Sequence, residues 1–135
     1  MNRSIRADYW SGEPNLRPFY AHALDASPQD LIVAREQHPV DRALLVSALK
    51  RQHNDLEVPE AVHTNIALLE KENTYTITTG QQPALFGGPL YNLYKALTAI
   101  NLAQKYKAES PEHDFVPVFW NATEDHDRHE LNHTW

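Results

Sequence analysis

Seven consecutive residues, Glu124 to Glu130, carry four carboxylates and two imidazoles: Glu124, Asp125, Asp127 and Glu130, with His126 and His129. Carboxylates hold an ammonium group, and a histidine titrates near neutral pH, so the segment suits proton transfer or the holding of an amine substrate. His126 is the candidate general base, flanked by Asp125 and Asp127, with Glu124 as a binding group. Were the segment helical, His126, His129 and His133 would share a face at i, i+3 and i+7 spacing, which raises a three-histidine zinc site as an alternative. Three ligands within two turns of one helix strain tetrahedral geometry, so no metal is expected here. A third reading is a solvated helix start, with Thr123 as N-cap and the acids facing the positive end of the helix dipole. It accounts for Glu124 and Asp125 but not for the histidines beside them.

A second candidate lies upstream. Gly80-Gln81-Gln82-Pro83-Ala84-Leu85-Phe86-Gly87-Gly88-Pro89 holds three glycines, two prolines and a doubled glutamine. Gly88-Pro89 precedes a helical pattern, and the free amides of a helix start make an anion site that glycines let a ligand approach. Gln81, Gln82, Tyr91, Asn92 and Lys95 add donors, although Lys95 stands inside the helix and its reach toward the loop is open. Neither a Walker loop nor a Gly-x-Gly-x-x-Gly fingerprint is present. The expected phosphate- or carboxylate-binding set is Gly80, Gln81, Gln82, Gly87, Gly88, Tyr91 and Lys95, with a purely structural turn as the alternative.

These segments need elements to place them. Thr74 to Thr79 is β-branched and aromatic, the composition of a strand. A helix is predicted from about Leu90 to Lys107, with Leu90, Leu93, Tyr94, Leu97 and Ile100 on one side. Phe115 to Trp120 reads as a second strand. Two strands joined by such a helix should be parallel with a right-handed crossover. Both polar loops then leave the carboxyl ends of their strands at one sheet edge, where α/β proteins bind ligands. Upstream, residues 1–26 read as an arm that docks its aromatics on a core. Residues 27–73 hold three helices, starting at Ser27-Pro28, Val40 and Pro59, and residues 74–135 form the β-α-β unit of the same single domain. The fold class is therefore α/β: a helical preface followed by a parallel β-α-β unit. Two strands alone leave edges and faces uncovered. Either the preface supplies more strand or the chain is the front part of a longer one.

Composition narrows the function classes. The chain has 135 residues and no cysteine, which excludes disulfides and thiolate metal sites. No apolar run approaches the roughly 18 residues of a membrane span, and no signal-peptide core follows Met1. A cytoplasmic location is expected. Net charge is −6, and with no basic stripe nucleic acid is a poor partner. Residues 1–108 balance eleven acids against eleven bases, whereas residues 109–135 hold seven acids and only Arg128. The acidic tail suggests amines, cations or metal-bound phosphate as ligands, or else a solvated surface.

The run Thr79-Gly80-Gln81-Gln82-Pro83-Ala84-Leu85-Phe86-Gly87-Gly88-Pro89-Leu90-Tyr91, followed by Tyr94-Lys95-Ala96, resembles one family: the cysteine-adding enzymes (cysteine ligases) of bacillithiol biosynthesis. The likeness resumes at Val116 to Trp120, at Glu124-Asp125-His126-Asp127 and at Glu130-Leu131-Asn132-His133. Asp8-Tyr9 with Gly12, and Phe19-Tyr20, are similar to the family's amino-terminal arm. The resemblance implies a Rossmann-like, nucleotidyltransferase-type core and a ligase joining cysteine to the amine of glucosaminyl-malate. It implies that ATP activates the cysteine carboxylate and that full-length members dimerise through a long helical region. Under it, the Gly80–Gly88 loop would cradle phosphate or carboxylate while Asp125, His126 and Asp127 hold or deprotonate the amine. Family members are several times longer, so this chain is expected to be an amino-terminal piece that does not turn over alone. The alternative is a non-catalytic α/β fragment that binds an anion or a partner chain.

Overall fold

The computed structural model describes residues 4–124 and divides the chain into two compact units that meet at Pro39 and Val40. The first holds helix α1 (Ile5–Trp10), a 3-10 turn (Pro14–Phe19) and helix α2 (Pro28–Glu36). Each α-helix starts on a serine. Ser4 accepts from the Ala7 amide at 3.3 Å, and Ser27 accepts from the Asp30 amide at 3.2 Å while Pro28 occupies the first turn. Tyr9 and Tyr20 pack edge to face with centroids 5.3 Å apart, and the Arg17 guanidinium lies over the Tyr20 ring. Trp10 and Phe19 are largely exposed.

The second unit holds helices α3 (Arg42–His53) and α4 (Glu60–Leu68), strand β1 (Thr74–Gln81), helix α5 (Leu90–Glu109) and strand β2 (Asp114–Asn121). The strands pair in parallel from Thr74 with Asp114 to Gln81 with Asn121, as their helical crossover requires. Each runs slightly past its expected end, so Gly80 and Gln81 belong to the sheet rather than to the loop. Period-two alternation splits β2. Val116 packs with Val46 of α3, with Ile66 of α4 and with Leu69 at the α4 C-cap, joined by Leu49, Val62, Leu68 and Val118. On the opposite face Phe115 meets Tyr106 of α5 with centroids 5.6 Å apart. Arg42 ties the helical layer to the sheet by donating to the carbonyls of Leu69, Glu72 and Thr74 at 3.0–3.1 Å. These carbonyls end α4 and open β1, where backbone acceptors would otherwise lack partners.

Helix α5 lies on the sheet by a face other than its most apolar one. Asn92, Ala99 and Ala103 are buried, with Lys95, Ala96 and Tyr106 half-buried, at helical spacing. Leu90, Leu93, Tyr94, Leu97 and Ile100, the side that the sequence pattern picks out, are exposed. Alanines let the helix axis approach the sheet closely, which a leucine stripe would prevent. Among the described residues, no helix is long and apolar enough to cross a membrane.

Candidate functional site

At the carboxyl ends of both strands, Gly80 stands opposite Trp120 and Gln81 opposite Asn121. A Cβ at Gly80 would lie 2.6 Å from the Trp120 carbonyl oxygen and 2.9 Å from its Cβ, so only glycine fits this register. The chain then leaves through Gln82 and Pro83 into a short 3-10 turn, Leu85–Gly87. Phe86 at its tip has φ +53°, a left-handed conformation uncommon outside glycine, and the residue is 94% exposed. Gly87 and Gly88 follow with φ +84° and +75°, which glycine adopts without steric cost.

Asn92, in the first turn of α5, holds this turn down from inside. Its side-chain Nδ2 donates to the Gly87 carbonyl at 3.0 Å, and its buried Oδ1 has no partner among the described residues. No side chain caps α5 at Pro89, and the Asn92 amide donates to the Pro89 carbonyl at 2.9 Å, which leaves the Leu90 and Tyr91 amides as the helix-start donors at the sheet edge.

Lys95 reaches the strand end from one and a half turns inside α5. Its ammonium donates to the Gly80 carbonyl at 3.1 Å and to Gln81 Oε1 at 2.7 Å, and it lies 5.0 Å from the centroid of the Tyr91 ring. No carboxylate forms a salt bridge with it among the described residues. The structure thus brings together Gly80, Gln81, Tyr91 and Lys95, with Gly87 and Gly88 held beside them through Asn92. Gln82 is half-buried where the strand ends. Sequence reasoning counted Asn92 among the donors, but its observed bond is spent on the turn itself.

Glu124 is exposed in a turn after β2, so its strand delivers it toward the same end of the sheet. Asp125, His126, Asp127, His129 and His133, which carry the proposed base, its flanking acids and the zinc alternative, lie outside the described residues.

All of residues 1–135 match the family described as bacillithiol biosynthesis BshC, N-terminal Rossmann-like domain. The chain belongs to that family. Among similar proteins, one from Flavobacterium psychrophilum named "Putative cysteine ligase BshC" is 43% identical over 130 residues, covering 93% of this chain and 24% of that protein. A protein of the same name from Bacillus cereus strain Q1 is 39% identical over 135 residues, covering 98% of this chain and 25% of the other. The chain therefore spans about a quarter of the length of the curated relatives it matches. Membership makes the parallel strand pair with its crossover helix part of a Rossmann-like domain.

Proposed function

We propose that this chain supplies the anion-binding half of a ligase site, the half that holds an activated or activating group while an amine is presented beside it. The single observation that carries this reading is Lys95: an ammonium with no carboxylate partner among the described residues, anchored to Gly80 and Gln81 at the sheet's carboxyl edge. Gly87 and Gly88 open the backbone next to it, and the uncapped start of α5 adds amide donors.

Read with the names of its relatives, the reaction is the joining of cysteine to an amine in bacillithiol biosynthesis, with glucosaminyl-malate as the amine-bearing acceptor. His126 serves as general base with Asp125 and Asp127 beside it, supported by their position in sequence directly after the carboxyl end of β2. A phosphate group of ATP fits the donor set of Lys95, Gln81 and the first α5 amides, and ATP when bound supplies a leaving group for the cysteine carboxylate. The chain's own residues would hold that phosphate, orient the carboxylate and take the amine proton. Being a quarter of its relatives' length, the chain alone is expected not to turn over. The reading places the enzyme in the cytoplasm and, at full length, in a homodimer.

Thermal unfolding with ATP, cysteine and glucosaminyl-malate in turn tests it. A ligand at about 100 times its Kd adds ~2.7 kcal/mol of stability, an easily measured rise in Tm. No shift with ATP or cysteine would sink the reading. A second reading, a non-catalytic module that binds a partner chain, draws on the exposed apolar stripe of α5 and on exposed Phe119 and Trp120. Sedimentation of the chain as an oligomer, without any ligand shift, would favour it.

A further inference from the structure

The orientation of a glutamine amide is normally ambiguous, because its oxygen and nitrogen look alike. At Gln81 chemistry removes the ambiguity. The atom 2.7 Å from the Lys95 ammonium must be an acceptor, since an ammonium carries donors only. Oε1 therefore faces Lys95, and Nε2 with its two N–H groups is turned to the other side. No acceptor takes those N–H groups among the described residues, although Gln81 is half-buried. Gln81 sits at the last paired position of β1, opposite Asn121. It shares its sheet face with Thr79 and Tyr75 by strand alternation, the face on which α5 and Lys95 lie.

We propose that Lys95 is a positioning residue that locks the Gln81 amide with its N–H2 outward. The Gln81–Lys95 pair then presents donors alone, the amide N–H2 beside a positive charge, and selects a ligand by a carboxylate or phosphate oxygen while rejecting an ammonium. This rests on the anion-binding reading above and adds to it a named selector. The lock also explains why a neutral amide stands where a glutamate would make a stronger bond to Lys95. A carboxylate at residue 81 would neutralise the ammonium and turn a second acceptor toward the ligand.

The test uses the 135-residue chain, its Gln81→Glu and Lys95→Arg variants, and three probes: pyrophosphate, cysteine, and cysteamine, which is cysteine without its carboxylate. The wild-type chain should bind pyrophosphate, or cysteine in preference to cysteamine. The first outcome identifies a phosphate source and the second a carboxylate source. Gln81→Glu should melt at or above the wild-type temperature, through its new ion pair, yet lose about tenfold to a hundredfold in affinity for the same anion. Lys95→Arg, which also offers donors only, should retain most of the binding. In the wild type, the Gln81 side-chain N–H2 resonances should move on titration with that anion. A purely structural bond to Lys95 would leave those resonances still. Equal affinity in the wild type and Gln81→Glu, still amide resonances, or preference for cysteamine would overturn the selector alone. Failure of the wild type to bind either anion would overturn the selector and the anion-site reading together.

Discussion

Gly88 has φ +75°, and a Cβ there would come within 2.6 Å of Asn92 Nδ2 and 2.8 Å of the Ala84 Cβ. Alanine at this position is strained twice, by its backbone and by a buried amide that cannot retreat without releasing Gly87. Gly88→Ala is therefore expected to cost about 1–3 kcal/mol in urea unfolding. Asp114 offers a second test at the far end of the strands. Its hydrogen bond from Lys107 holds its carboxyl below the ordinary carboxylate range against the opposing effect of burial, and Lys71 assists. A lowered folded-state pKa means the stabilisation is complete above the unfolded value of about 3.9 and is lost as pH falls through the folded value. Both lysines are about half exposed, so the contribution is expected to stay under ~1 kcal/mol. Asp114→Asn should accordingly lower stability modestly at pH 7, and its gap from the wild type should close as the pH drops below about 4. At this scale the sequence was partly legible. Gly80, Gln81 and Lys95 could be grouped as candidates from the sequence, and they do touch one another. That Trp120 forbids a side chain at Gly80, or that Lys95 reaches Gln81, depends on strand register and helix direction, which no local pattern encodes.

Among the elements, α2 could be read from its Ser27-Pro28 start and α3 from the break at Pro39, whereas the short α1 was not anticipated. The strands were legible from β-branched and aromatic composition, and their parallel pairing from the length of the connection. The orientation of α5 was not. Periodicity finds the large apolar side chains, whereas packing on a close sheet selected Ala99 and Ala103. Two substitutions two residues apart, on opposite sides of α5, should therefore behave against hydrophobic intuition. Leu97→Lys, on the exposed stripe, should change stability by no more than ~0.5 kcal/mol. Ala99→Leu should destabilise by about 1–3 kcal/mol because it inserts volume between helix and sheet. Chemical denaturation of both variants checks the assignment of the faces. A reversed order of the two effects would mean that the leucines are the buried side.

For the molecule as a whole, the sequence already indicated an incomplete sheet, since two parallel strands need covering on more sides than these helices provide. The described residues contain two strands, and the relatives are about four times longer, which fits that inference. The concentration of acid after residue 108 was also legible, but its arrangement past Glu124 was not. The exposed left-handed Phe86 carries one more consequence. A large aromatic at the tip of an exposed turn, followed by Gly87 and Gly88, is the kind of peptide that chymotrypsin accepts. Limited digestion should cut after Phe86 early, which mass spectrometry of the fragments would reveal. The break falls between β1 and α5, yet the strand ladder from Thr74 to Gln81 and the layers on both sheet faces span it. The nicked molecule should hence keep its far-ultraviolet dichroism and separate into two peptides only in denaturant. Because the cut lies beside Gly87 and Gly88, an anion seated there would slow it, making cleavage rate a direct gauge of occupancy.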